Sequence, residues 1–77
     1  MYKFMIVIEK TDTGFSAYSP DLPGCVATGA TKEETEQKIY NAIEMHIEGL
    51  IEDGIPIPEP TTFSEYVLIS DRIVNAV

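Results

Sequence analysis

The sequence predicts an α+β domain of order βββαβ: a four-stranded mixed sheet, strand order 3-2-1-4, with one helix packed on one face. Three observations carry this. Short runs of alternating apolar residues near the N-terminus are separated by clusters of turn-forming residues. One long run of helical period follows, marked at both ends by capping residues. A last apolar run lies beyond a proline-rich segment, far enough along the chain for a crossover connection.

Residues 2–9 read as the first strand. Tyr2, Phe4, Ile6 and Ile8 share one face, and Met5 and Val7 share the other. Apolar side chains on both faces predict a central strand covered on both sides. Lys10-Thr11-Asp12-Thr13-Gly14 is a turn cluster, and residues 15–19 form the second strand of a hairpin, with Phe15 and Ala17 alternating against Ser16 and Tyr18. Pro20-Asp21-Leu22-Pro23-Gly24 then interrupts the sheet: each proline removes a backbone donor, and Gly24 permits positive φ. Residues 25–28 form a short third strand.

The helix start is written in Thr31 and Glu34, spaced as a capping box, with Glu33, Glu34 and Glu36 suited to the positive end of the helix dipole. It is predicted to run to about Asp53, ~22 residues and ~33 Å at the rise of an α-helix. Gly54 is placed to end it, and Pro56 forbids continuation. At 100° per residue, Ile39, Ala42, Ile43, Ile47, Leu50 and Ile51 form one stripe, while Lys38, Asn41, Glu44, Glu48 and Glu52 form the opposite face. One side of the helix therefore packs on the sheet. Residues 55–60, with prolines at alternate positions, are expected to be stiff and extended, returning the chain towards the sheet. Residues 65–70 read as the fourth strand, parallel to the first and beside it; residues 73–77 either prolong that strand or fray. The third and fourth strands would then be edges open to another chain.

Seventy-seven residues make one domain, here residues 1–77. Its 44% hydrophobic content argues against disorder, yet a core this small gives little stability by itself. The single cysteine, Cys25, permits no internal disulfide, and the single histidine, His46, permits no Cys/His metal cluster. Oligomerisation, as a dimer or tetramer, or partner binding is the expected further support. Thirteen acidic against five basic residues give a net charge of −8, which would repel nucleic-acid phosphates and attract basic proteins. No signal-peptide pattern is present, and no apolar run approaches the ~20 residues of a membrane span. The expected location is cytoplasmic.

Asp21-Leu22-Pro23-Gly24-Cys25, then Gly29-Ala30-Thr31-Lys32-Glu33-Glu34, then the helix and Glu52-Asp53-Gly54-Ile55-Pro56-Ile57-Pro58-Glu59-Pro60 resemble the HicB family, the antitoxin half of the HicA–HicB toxin–antitoxin pair. The resemblance runs from Phe4 to about Ile69. It implies a partial RNase H-like fold, in keeping with the βββαβ order, and a role in masking a small basic RNA-cleaving toxin of the HicA type. Ala30 stands where family members commonly have Asp, and Thr35 where they commonly have Ala. Many members continue into a DNA-binding domain; that activity is not expected of residues 1–77, and neither a cofactor nor a metal is implied.

Catalysis of the RNase H type needs several carboxylates converging on two divalent metals. The candidates are Glu9 and Glu65 on strands and Asp12 and Asp21 in loops; surface charge explains them more simply. His46, within the apolar stripe, reads as a half-buried structural histidine, since no nucleophile or orienting acid accompanies it. Cys25 reads as a small buried hydrophobe. Met45 sits among the polar helix residues and suggests a contact with another chain. The leading candidate for partner binding is the segment Tyr18, Pro20, Asp21, Leu22, Pro23 and Gly24, a rigid loop expected to present Tyr18, Asp21 and Leu22 to another protein. Three functions follow: an antitoxin-like module binding a basic protein, a self-associating regulatory domain without a toxin, and a remnant metal-dependent nuclease.

Overall fold

The computed structural model describes residues 2–76. Three strands, β1 (Val7–Lys10), β2 (Phe15–Tyr18) and β3 (Val26–Gly29), precede a long helix α1 (Lys32–Glu52) and a short one, α2 (Asp71–Asn75). The strands form an antiparallel meander in the order β1-β2-β3. Ile8, Ala17 and Ala27 lie in register on the face turned to α1, and Val7, Tyr18 and Val26 lie in register on the other face.

The core is small. Ala17, Leu22, Cys25 and Ile39 are buried, and Phe4, Ile6, Ile8, Ala27, Ala42, Ile43 and Ile47 pack around them. Full burial of a side chain such as Ile39 contributes about 1.5–3 kcal/mol. Gly29 lets β3 approach α1 closely: a Cβ there would stand 2.6 Å from Thr35 Oγ1. Thr35 is itself fully buried, and its hydroxyl is satisfied by donating to the Thr31 carbonyl at 2.8 Å.

The helix ends follow the local chemistry that predicted them. The Glu34 N–H donates to Thr31 Oγ1 (3.1 Å), and Glu34 Oε2 accepts from the Ala30 N–H (3.2 Å). At the other end Gly54 takes φ +67, the Gly54 N–H donates to the Ile51 carbonyl (3.1 Å), and the Ile55 N–H donates to the Leu50 carbonyl (2.9 Å). This pair of bonds is the Schellman closure that satisfies the last carbonyls of a helix. The apolar stripe is less uniform. A helix of 21 residues is about 31 Å long, whereas four-residue strands span about 13 Å. The last turn of α1 overhangs the sheet, and Ile51 is exposed although it lies on the predicted buried stripe.

Two expectations about the sheet are corrected. Residues 65–70 form no strand, and every residue from 61 to 76 is exposed. Ladder pairing in the first segment begins only at Val7, and β1 pairs with β2 alone. The middle strand is therefore β2, and β1 is an edge whose outer side is open. The reason is common to both: the segment meant to cover β1 leaves the body instead of folding back. Residues 73–75, within the segment 73–77 expected to prolong the strand or fray, instead belong to α2, which is capped by Ser70 Oγ accepting from the Arg72 N–H at 3.2 Å. Val77, within the segment predicted to prolong or fray, lies outside the described residues.

Candidate functional site

The segment from Ser19 to Cys25 is two consecutive β-turns closed by backbone bonds. The Leu22 N–H donates to the Ser19 carbonyl (3.1 Å), and the Cys25 N–H donates to the Leu22 carbonyl (3.1 Å). In the second turn Pro23 and Gly24 hold the central positions, and Gly24 has φ +84, as a type II turn requires. A further bond, from the Ser19 N–H to the Cys25 carbonyl (3.3 Å), ties the loop's two ends together. The buried Ser19 hydroxyl donates to the Met5 carbonyl (2.9 Å), attaching the loop to the segment before β1.

This geometry divides the predicted site residues. Tyr18, at the end of β2, is 41% exposed on the outer face of the sheet. Pro23 and Gly24 form the exposed tip, and Pro20 is half-buried. Leu22 was expected on the surface, but its exposure is 0%. The two turns fold it inward against Ala17, Cys25 and Ile39, so it is a core residue of the loop and not a presented anchor.

Asp21 has a third role. Its carboxylate accepts from the Thr62 hydroxyl (2.8 Å), the Thr61 hydroxyl (3.3 Å) and the Thr62 N–H (3.4 Å). The Thr62 hydroxyl is the main reason its carboxyl titrates below its ordinary value, with partial desolvation opposing the shift. Asp21 thus ties the end of the proline segment to the loop. Residues 55–60 return the chain along the helix as expected, and sequence spacing could not show where they would attach.

Val26 was not singled out from the sequence. It is 66% exposed and in register with Tyr18 and Val7 across the outer face. Pairing of β2 and β3 is centred on Leu22, the midpoint of the Ser19–Cys25 loop, and that register places Val26 opposite Tyr18. An apolar row beside a rigid turn can contact another protein through side chains whose positions are already fixed.

The chemistry-bearing residues are dispersed. Cys25 is a free, buried thiol whose titration burial pushes up, as a small core hydrophobe requires. His46 is half-buried on α1. Glu9, Asp12 and Glu65 are exposed, and among the described residues no group of three His, Cys, Asp or Glu side chains is placed to hold a metal ion. Met45 is exposed on the polar side of α1. Among the described residues no helix is long and apolar enough to cross a membrane.

Comparison with known proteins agrees with this architecture. The chain is 42% identical over 60 residues to a UPF0150 protein of Synechocystis sp., covering 77% of this chain and 76% of that one. It is 36% identical over 64 residues to an uncharacterized 14.9 kDa protein of Haemophilus phage HP1, covering 83% of this chain but only 48% of the phage protein. The chain thus spans about half the length of that relative. Among solved structures, a chain of the HicA3 and HicB3 toxin–antitoxin complex superposes with a TM-score of 0.62 at 37% identity, covering 77% of this chain and 72% of that one. The sequence pattern of the HicB_like antitoxin of bacterial toxin-antitoxin systems matches residues 4–72. The chain belongs to the HicB-like antitoxin family.

Proposed function

We propose that this chain is a non-catalytic, cytoplasmic binding module that neutralises a small basic toxin of the HicA type by covering it. The observation that carries the reading is the structural likeness, at 37% identity, to a chain of the HicA3 and HicB3 toxin–antitoxin complex. The net charge of −8 supports it, because a basic RNA-cleaving partner is drawn to an acidic surface and nucleic acid is not. The contact surface is the outer row Tyr18 and Val26 with the Pro20, Pro23 and Gly24 loop; Asp21 fixes the loop, and Leu22 holds it from beneath.

Co-expression of the tagged chain with the adjacent gene tests this. A small basic protein should co-purify in a defined ratio. Tyr18→Ala and Val26→Ala, which remove exposed side chains, should each weaken the complex about tenfold or more without unfolding the chain. A partner that never co-purifies, or one indifferent to both substitutions, contradicts the proposed surface.

A further inference from the structure

The C-terminal arm, residues 63–76, makes no hydrogen bond to the body of its own chain among the bonds of the described residues. Phe63, Tyr66, Val67, Leu68, Ile69, Ile73 and Val74 are all exposed, Tyr66 completely so at 101%. The chain measures 55 × 28 × 19 Å, with a radius of gyration of 16.1 Å, against about 11 Å for a folded domain of this length. Its accessible surface is 6369 Å², whereas a folded monomer of this mass exposes roughly 4,650 Å². The excess is roughly 1,700 Å² per chain on the same scaling.

The body lacks what the arm could supply. β1 has an open edge, and Phe4, Met5 and Ile6 just before it, with Val7 and Ile8 within it, carry half-buried apolar side chains that alternate between two faces. Tyr66 and Leu68 fall on one side of an extended chain, and Phe63, Val67 and Ile69 on the other. This two-sided pattern matches the two-sided pattern of the first segment. Asp21 fixes the root of the arm at Thr61 and Thr62, and beyond that root lies a cavity of about 710 Å³ bordered by Tyr2, Lys3, Met5 and Phe63.

We propose that the arm is the fourth strand of a second copy of this chain: residues 63–70 of each protomer pair with the open β1 edge of the other, in a reciprocal, strand-exchanged homodimer. A second copy is the occupant because this chain carries both the unpaired strand and the unpaired edge, and a two-fold exchange satisfies both at once. The area agrees. Two excesses of roughly 1,700 Å² amount to roughly 3,400 Å², within the range of obligate homodimers and well above the ~1,200 Å² of a minimal stable interface. The exchange also explains why the first segment reads as a central strand and is an edge in the single chain. The proposal does not depend on the toxin reading, because it concerns the chain alone.

Two like-charged copies, each of net charge −8, repel, so added salt strengthens this association, whereas it weakens binding of a basic toxin. Light scattering on the purified chain should give twice its 8.5 kDa mass. The double variant Tyr66→Asp, Leu68→Asp, altered only at exposed positions, should be monomeric with its helix signal in circular dichroism retained. Isotope-filtered NMR on a mixture of labelled and unlabelled chains should show contacts between residues 66–69 of one copy and residues 2–8 of the other. A monomeric wild-type chain overturns the proposal. So does a dimer that survives the double variant, or one whose arm contacts arise within a single chain.

Discussion

Leu22 and Leu68 are the same residue in two segments outside the helices and strands, yet one is fully enclosed and the other is 97% exposed. The difference lies in what each segment does with its own backbone. Around Leu22 the turn bonds among Ser19, Leu22 and Cys25 close the loop on itself, and the side chain has only the core to enter. The arm around Leu68 has no such closure and no strand beside it. A loop that satisfies its own polar groups can be buried, whereas a strand needs a neighbour for its polar groups before its side chains can be covered.

Truncating each leucine in turn separates the two behaviours. Leu22→Ala should cost about 2–5 kcal/mol, because it removes a fully buried side chain from a core with little to spare. Denaturant unfolding should show a large loss of stability relative to the small total available to a domain of this size. Leu68→Ala should leave the unfolding of the dilute, dissociated chain unchanged and act only through self-association. Equal losses from the two substitutions in the dilute chain would show that the arm folds back on its own body.

Smaller effects test how the body is held. Gly29→Ala would place a Cβ 2.6 Å from Thr35 Oγ1, and overpacking of this kind costs about 1–3 kcal/mol. Thr35→Ala in the same chain should relieve part of that strain, which a thermal melt of the single and double variants would reveal. Thr31→Ala removes the cap of α1 and should cost about 1 kcal/mol by the same measurement.

The smallest effect is expected at the junction of the two regions. Asp21 titrates below its ordinary value of 3.8, so its contribution is present above that pH and fades as the pH falls through the lowered value. The Thr62 amide signal in NMR should move through that acidic range, and Asp21→Asn should abolish the movement. A Thr62 signal insensitive to acid would place the root of the arm elsewhere.

The same contrast explains how much was legible in the sequence. The ends of α1 were readable because Thr31, Glu34 and Gly54 act on backbone groups only a few residues away. The hairpin and the turn at Pro23-Gly24 were readable for the same reason. The expected fourth strand is absent because alternation at residues 65–70 records only that they suit a strand, and a strand forms only where a neighbour satisfies its backbone. The burial of Leu22 is not legible because prolines and glycine mark a turn without saying which side chain the turn folds inward. The attachment of Asp21 to Thr61 and Thr62, some 40 residues away, left no local trace.

Silencing of a basic toxin by this chain would be read out in RNA cleavage. A small basic protein that co-purifies with the chain would be assayed on RNA while the purified chain is titrated in. Cleavage should stop at a fixed molar ratio, and a folded Tyr18→Ala, Val26→Ala chain should fail to stop it. Undiminished cleavage under a saturating excess of the wild-type chain would contradict silencing by this chain.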